Sequence, residues 1–193
     1  MKVKTRSITL IGILTALIIV LGLSGLGIIT VPGALRITIL HIPVIIAAIV
    51  AGPVEGAIVG TLFGVWSILD KIMRPTPTGF VFFNPLVSVL PRILIGLVAY
   101  YSYKYIKKIL PESISISIAS LLATLTNTIG VLGMIYFVYA ERYMEVLGQP
   151  KELALVFLGT TAVQNGIPEA IASAILVPII VLGITKAGVK NIK

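Results

Sequence analysis

The chain contains no cysteine and only one histidine, and charged residues make up just 11% of its 193 positions. Without cysteine there is no disulfide framework, thiol chemistry or cysteine-rich metal site, and a single histidine does not build a multi-histidine metal centre. No glycine-rich GKS or GKT phosphate loop occurs, so the chain does not hydrolyse ATP by itself. A soluble domain usually carries about 25% charged residues, and this shortage excludes an ordinary soluble enzyme.

Hydrophobic residues, in contrast, make up 58% of the chain and gather in long runs. At roughly 20 residues per membrane helix, six spans use about 120 residues and leave only short loops and tails. We therefore predict an all-α membrane protein, a single integral domain over residues 1–193 with six transmembrane helices. The predicted spans lie at approximately 8–29, 37–51, 55–69, 85–106, 113–140 and 154–184. The second, interrupted by Pro43, and the third are short for a bilayer of about 30 Å, so we expect them to be tilted or partly re-entrant.

The distribution of basic residues predicts the orientation of these spans. Six spans place both termini on one side, and that side collects nine Lys or Arg residues against five on the other. Because cytoplasmic loops carry the excess of basic residues, both termini are predicted to be cytoplasmic. The net charge of +8 then reports orientation and gives no reason to expect a nucleic acid partner. No internal repeat is evident, which argues against a secondary transporter built from inverted halves.

Two sets of small residues follow the four-residue spacing that lets another helix approach closely. Gly12 and Ala16 form a pair in the first span, and Gly56, Gly60 and Gly64 repeat the spacing along the third. We expect the third-span glycines to pack inside the protein. The first-span pair is equally compatible with contact to another protein.

Polar residues inside the spans form the candidate site, because a charge at bilayer depth costs at least about 2.5 kcal/mol and usually marks a pathway or a binding site. Arg92, Asn127, and Asn165 with Glu169 on one helix face are expected at comparable depth in three spans. One interpretation is a structural buried ion pair between Arg92 and Glu169. The other is an anionic ligand whose carboxylate suits the planar guanidinium of Arg92, with Asn127 and Asn165 hydrogen-bonding its polar body.

His41 and Trp66 lie nearer the predicted outer side and are expected to roof the same cavity. An interfacial aromatic belt alone also explains the tryptophan. The GLSG sequence at 22–25 resembles the motif of intramembrane serine proteases, which need a histidine facing the serine from another helix. His41 follows across a loop, so we interpret these small residues as the loosened end of the first span.

Three stretches of the chain resemble the sequences of a known protein family. They are TILHIPVII at 38–46 followed by Gly52-Pro53 and Gly56, the segment from Asn84-Pro85-Leu86 to PRILIG at 91–96, and NGIPE at 165–169. Together they make nearly the whole chain similar to the substrate-binding (S) components of energy-coupling factor (ECF) vitamin transporters. Within that family the chain resembles the pantothenate-type branch, which agrees with a carboxylate bound by arginine.

The resemblance implies a subunit of the bacterial cell membrane that binds a vitamin from outside, without a cofactor or metal, and that is not an enzyme. Its partners would be membrane lipid, a transmembrane coupling protein and two cytoplasmic ATPase subunits. Gly12 and Ala16 then correspond to an AxxxA-like motif that contacts the coupling protein. The loop at 31–36 corresponds to a lid, with Pro32, Gly33 and Arg36 as its notable residues.

The leading hypothesis is a high-affinity vitamin-binding subunit of an ATP-driven importer, with pantothenate as the vitamin. Arg92, Asn127, Asn165, Glu169, Trp66, His41 and Asn84 are the substrate-binding candidates. One alternative is an S component for riboflavin, folate or thiamin. Another is a self-contained ion-coupled transporter in which Glu169 carries protons.

Overall fold

The computed structural model describes residues 5–31 and 35–186, with the backbone alone at 28–31 and 35–37. Within those residues the chain forms eight α-helices and one β-hairpin. They are α1 (Thr5–Ser24), β1 (Ile28–Val31), β2 (Leu35–Thr38), α2 (Ile42–Val50), α3 (Pro53–Met73), α4 (Pro85–Ser88), α5 (Leu90–Ile106), α6 (Glu112–Val146), α7 (Ala154–Thr161) and α8 (Ile167–Lys186). Short 3₁₀ segments at Gly79–Phe83 and Lys151–Leu153 precede α4 and α7, and a π-helical segment, Ala162–Gly166, joins α7 to α8.

Five helical stretches of the described chain are long and apolar enough to cross a membrane. They are Thr5–Ser24, Pro53–Met73, Pro85–Ile106, Glu112–Val146 and Lys151–Lys186. Two of them are interrupted, because α4 and α5 share one stretch and α7, the π-helical segment and α8 share another. The described chain therefore contains long apolar helical stretches for five of the six predicted spans, and the second predicted span lacks one.

That remaining span is the short helix α2. It has nine residues, which at a rise of 1.5 Å per residue gives about 13 Å and less than half of a bilayer core of about 30 Å. Pro43 does not interrupt it but occupies its first turn, where the missing N–H leaves no hydrogen bond unmade. Every residue from Ile42 to Ala48 is buried, so α2 is the central helix of the core, surrounded by α1, α3, α5, α6 and α8. A helix that is apolar on all faces belongs in such an interior.

The hairpin departs from the all-α prediction and from the predicted loop at 31–36. Helix α1 ends at Ser24 instead of continuing to residue 29, and Gly25 takes a positive φ of 75° that favours glycine at a helix end. The β-branched run from Ile28 to Val31 then pairs antiparallel with β2. Arg36 lies on β2, whereas Pro32 and Gly33, the other predicted lid residues, lie outside the described residues.

The third span also differs from its prediction, because α3 continues beyond Leu69 to Met73, into the segment between the third and fourth predicted spans. The charged residues at this end of the helix are paired with one another. Asp70 lies 3.1 Å from Lys71 and 3.7 Å from Arg74. The guanidinium of Arg74 also donates to the carbonyls of Gly22 and Leu23, which the end of α1 leaves without helical partners.

A polar cluster closes the turn between α5 and α6. Lys107 donates to the Tyr103 hydroxyl at 2.7 Å and to Glu112 at 3.0 Å, and Tyr103 donates to Glu112 at 2.8 Å. The hydrogen bond with Tyr103 is the largest contribution that raises the pKa of Lys107, and the bond with Glu112 adds to it. Lys107 therefore stays charged at the end of α5, where a cation suits the helix dipole.

Helices α3 and α5 pack at close range through the predicted glycine row. A Cβ atom placed on Gly64 would lie 2.6 Å from the Cα of Val89, just before α5, and one placed on Gly56 would lie 3.2 Å from the Cα of Gly96 on α5. A Cβ atom on Gly60 would collide with the backbone carbonyl of Arg92. The small residues thus bring the two backbones together and set the position of Arg92.

We expect Gly60→Ala to lower the free energy of unfolding by about 1–3 kcal/mol, since the added methyl group must push α5 away. Thermal unfolding in detergent, followed by intrinsic fluorescence, measures this effect. The matched control is Gly133→Ala on α6, where an added Cβ meets no atom within 4 Å. Equal midpoints for the two variants would contradict the close packing of α3 on α5.

Candidate functional site

A cavity of about 420 Å³ opens between the second half of α3 and the helices that face it. Its volume falls in the range of roughly 300–1,000 Å³ that is typical of small-molecule sites. The wall combines aromatic, polar and cationic side chains from α1, the end of the hairpin, α3, the 3₁₀ segment, α5 and α6. The lining residues are Gly22, Thr38, Leu40, Phe63, Trp66, Ser67, Asp70, Lys71, Arg74, Thr76, Phe82, Arg92 and Asn127.

Arg92 is held at this wall by a break in the helix. Pro91 has no N–H, so it cannot donate to the Val87 carbonyl four residues before it, as a regular helix requires. The guanidinium of Arg92 takes that place and donates from Nη1 to Val87 O at 2.8 Å. The break between α4 and α5 therefore fixes the orientation of the Arg92 side chain.

The charge of Arg92 is only partly compensated. Its guanidinium carbon lies 5.5 Å from the ring centre of Phe63 and 5.9 Å from that of Phe82, and the side chain is 7% exposed. Its buried Nε has no hydrogen-bond partner among the described residues. No salt bridge within 4.0 Å joins it to Glu169, so the two do not form the ion pair considered from the sequence.

The other cations of the cavity differ from Arg92 in this respect. Lys71 and Arg74 both lie next to Asp70, and Arg74 is also bonded to carbonyls at the end of α1. Arg92 has no acid within 4.0 Å, and the charge of Glu169 acts on it only from a longer distance. A buried cation without a direct acidic partner attracts an anion more strongly than a cation that is already in a salt bridge.

Asn127 and Trp66 complete the predicted part of the wall. The Oδ1 atom of Asn127 is buried without a hydrogen-bond partner among the described residues. The indole of Trp66 lies against Gly22, where an added Cβ would come within 2.5 Å of its Nε1. The sequence thus identified three lining residues, namely Arg92, Asn127 and Trp66.

His41 does not line the cavity. It is buried in a polar network between the start of α2 and the helices α6 and α8. Its Nε2 lies 3.0 Å from the Thr124 hydroxyl, which lies 2.7 Å from the Ser173 hydroxyl. This network connects the start of α2 to α6 and α8. His41 is therefore not the base of a serine protease. Its Nε2 contacts Thr124, whereas Ser24 is exposed and its hydroxyl donates to Leu21 O.

The three other substrate-binding candidates also lie outside the cavity lining. Asn84 caps α4 by accepting from Leu86 N at 2.9 Å and donates to the Tyr139 hydroxyl. Asn165 is half-buried in the π-helical segment. Glu169 is buried on α8, where its Oε1 accepts from the backbone N–H of Thr38 at 2.8 Å.

Several lining residues were missed in the sequence. Phe63 and Phe82 appeared only as hydrophobic residues, and Thr38 was placed inside a span. Lys71 and Arg74 were assigned to a loop, although the i, i+4 spacing of Asp70 and Arg74 indicates a continuing helix. Gly12 and Ala16, the predicted docking pair, are exposed on the outer face of α1.

The arrangement is suited to binding an anion with a mixed polar and apolar body. Arg92 provides charge at the wall, Asn127 and Thr38 provide polar groups, and the rings of Phe63 and Trp66 provide apolar surface. Within the described residues no group of three or more His, Asp or Glu side chains could hold a metal ion.

A comparison with known proteins identifies the family of this chain. A family model described as "ECF transporter, substrate-specific component" matches residues 6–181. The chain therefore belongs to the family of substrate-specific components of ECF transporters, as the three sequence stretches indicated. It is accordingly a multi-pass protein of the bacterial cell membrane that works with other transporter subunits, and it is not an enzyme.

Two relatives in this family have more particular names. The pantothenic acid transporter PanT of Lactococcus lactis subsp. cremoris is 30% identical over 201 residues, covering 96% of this chain and 97% of the relative. The pantothenate transporter PanT of Leuconostoc mesenteroides subsp. mesenteroides is 31% identical over 144 residues, covering 72% of this chain and 71% of the relative.

The buried network of His41, Thr124 and Ser173 leads to a prediction about stability. Thr124→Val should cost about 1–3 kcal/mol of unfolding free energy, because it removes the partner of His41 Nε2 in a buried environment. The control is Thr126→Val, since the Thr126 hydroxyl is exposed and donates to Leu122 O on its own helix. Thermal unfolding of both variants measures the difference, and an unchanged midpoint for Thr124→Val would contradict it.

Proposed function

We propose that this chain is the pantothenate-binding subunit of an ECF importer and that Arg92 binds the carboxylate of the vitamin. Pantothenate is a small carboxylate with an amide, hydroxyl groups and a dimethyl carbon, which matches a cavity with one cation that has no acid within 4.0 Å, polar groups and aromatic rings. Both relatives named above are pantothenate transporters, which supports the choice of vitamin.

The observation that carries the proposal is the unpaired guanidinium of Arg92. Its Nε is buried without a partner among the described residues, and its charge has no acid within 4.0 Å. A buried group in this state is stabilised by a ligand that supplies oxygen acceptors, because the cost of removing the charge from water has already been met by folding. A carboxylate also fits the fork geometry of guanidinium.

We assign Asn127 and Trp66 as further ligand contacts, since both line the cavity with Arg92. The unpartnered Oδ1 of Asn127 would accept from a hydroxyl or amide of the vitamin. Trp66 would cover its apolar part. The remaining sequence candidates, Asn84, His41, Asn165 and Glu169, are not assigned as contacts, because they do not line the cavity.

We expect Arg92→Gln to weaken pantothenate binding at least about 30-fold, the loss that follows when one partner of a buried charge pair is removed. Isothermal titration calorimetry on protein in lipid nanodiscs measures the affinity. Lys71→Gln is the matched control, because Lys71 lines the same cavity but is already paired with Asp70. For this variant we expect a change of less than about fivefold.

Pantothenol, in which an alcohol replaces the carboxylate, separates ligand recognition from damage to the fold. Its affinity should be nearly the same for the unmodified protein and for Arg92→Gln. An equal loss of affinity for both ligands would contradict a direct bond between Arg92 and the carboxylate. If the protein bound riboflavin, folate or thiamin and did not bind pantothenate, the choice of pantothenate as the ligand would be wrong.

We further propose that the chain delivers its vitamin through a transmembrane coupling protein and two cytoplasmic ATPase subunits. Gly12 and Ala16 support a docking role, since both are exposed on the outer face of α1 and a Cβ on Gly12 meets no atom within 4 Å. The excess of basic residues on the side of both termini supports their cytoplasmic location. The docking pair would then lie toward the side that faces the ATPases.

Gly12→Leu should leave vitamin binding unchanged but abolish uptake, because a bulky side chain fits the isolated chain yet blocks close approach of another helix. Uptake is measured in proteoliposomes that contain the coupling protein and ATPases, with and without ATP. Gly159→Leu on α7 is the control, since that glycine is also exposed with no neighbour within 4 Å of an added Cβ. Uptake driven by an ion gradient without the partners would overturn this proposal.

A further inference from the structure

The hairpin has two open edges inside a membrane protein. The sheet in the described residues contains β1 and β2 alone, so each strand has an edge without a neighbouring strand. Unpaired backbone groups at such an edge cost free energy wherever water is excluded. Away from water, an N–H group on the open edge of β2 is satisfied only where another element supplies an acceptor.

Glu169 supplies that partner at one position. Ile39 N donates to Gly27 O at 3.0 Å, toward the β1 side, so the preceding N–H of Thr38 points to the opposite, open side. There the carboxylate of Glu169 accepts from Thr38 N at 2.8 Å. The bond satisfies a backbone N–H that has no partner on the adjacent strand, and leaving such a donor unpaired in a buried place costs free energy.

Thr38 connects this bond to the cavity. Its side chain lines the cavity together with Leu40, and its hydroxyl donates to Gly27 O. Glu169 itself does not line the cavity and is 6% exposed. Glu169 thus lies on α8 outside the cavity and contacts the cavity wall through the backbone of β2.

We infer that Glu169 is a positioning residue of the candidate site, whose carboxylate holds the open edge of β2 against α8 and so keeps Thr38 and Leu40 at the cavity wall. In this role it contacts neither the ligand nor Arg92. Losing the bond should release the wall and speed ligand departure, while the attraction of Arg92 for the ligand is retained. The ligand part of this inference rests on the proposed function.

Hydrogen–deuterium exchange of peptides covering residues 35–40, analysed by mass spectrometry on the full chain in nanodiscs, tests the anchor without any ligand. Glu169→Ala should accelerate exchange in this segment at least about tenfold, as expected when the hydrogen bond to the backbone N–H of Thr38 is lost. Glu169→Gln keeps an acceptor oxygen and should exchange more slowly than the alanine variant. Glu152→Ala, at an exposed glutamate, is the control and should match the unmodified protein.

Stopped-flow binding of pantothenate provides the second measurement. Glu169→Ala should raise the dissociation rate about tenfold and leave the association rate within about twofold, and Glu169→Gln should restore most of the loss. Unchanged exchange at 35–40 in a folded Glu169→Ala protein would overturn the inference, as would equal effects of alanine and glutamine. If pantothenate does not bind at all, the proposed function fails, while the exchange result still decides whether Glu169 anchors the hairpin.

Discussion

In the interior of a membrane protein, each backbone N–H and C=O needs a partner within the protein, and this constraint governs the site. At three places where regular structure ends, a polar side chain bonds to the backbone group that is left free. Arg74 binds the carbonyls at the end of α1, Arg92 binds the carbonyl that Pro91 leaves free, and Glu169 binds the open edge of β2. The irregular backbone and the polar side chains thus occur together, and a cavity forms where they meet.

Much of the fold is readable from the sequence because long apolar runs and the shortage of charge leave few alternatives to membrane helices. The same reasoning identifies Arg92, since a charge in an apolar run requires an explanation wherever it occurs. Asn127 follows from the depth that it is expected to share with Arg92, and Trp66 follows from its expected position nearer the outer side of the same cavity. The glycine row on α3 was interpreted as internal packing, and its contacts with α5 agree with that interpretation.

Other features depend on contacts between residues that are far apart in the sequence, which the spacing of residues along the chain does not reveal. Hydropathy continues through Ile29, which hides the end of α1, although Gly25 and the β-branched run after it mark the change to a strand. His41 and Glu169 are buried polar residues like Arg92, so the sequence grouped all three. Only the packing separates them, because His41 bonds to Thr124 and Glu169 bonds to the backbone of β2. The aromatic rings around Arg92 come from segments that are distant in sequence.

The shortness of α2 determines how the interior volume is divided. Gly56 lies against Ala48, so α2 runs beside the first half of α3, whereas the cavity lies along the second half from Phe63 onward. A full-length helix in the place of α2 would fill the space that the cavity occupies. The half that α2 does fill contains its buried side chains from Ile42 to Ala48. In the proposed vitamin carrier, a ligand in the cavity would therefore leave past α2 only after the packing of α2 against its neighbouring helices has changed.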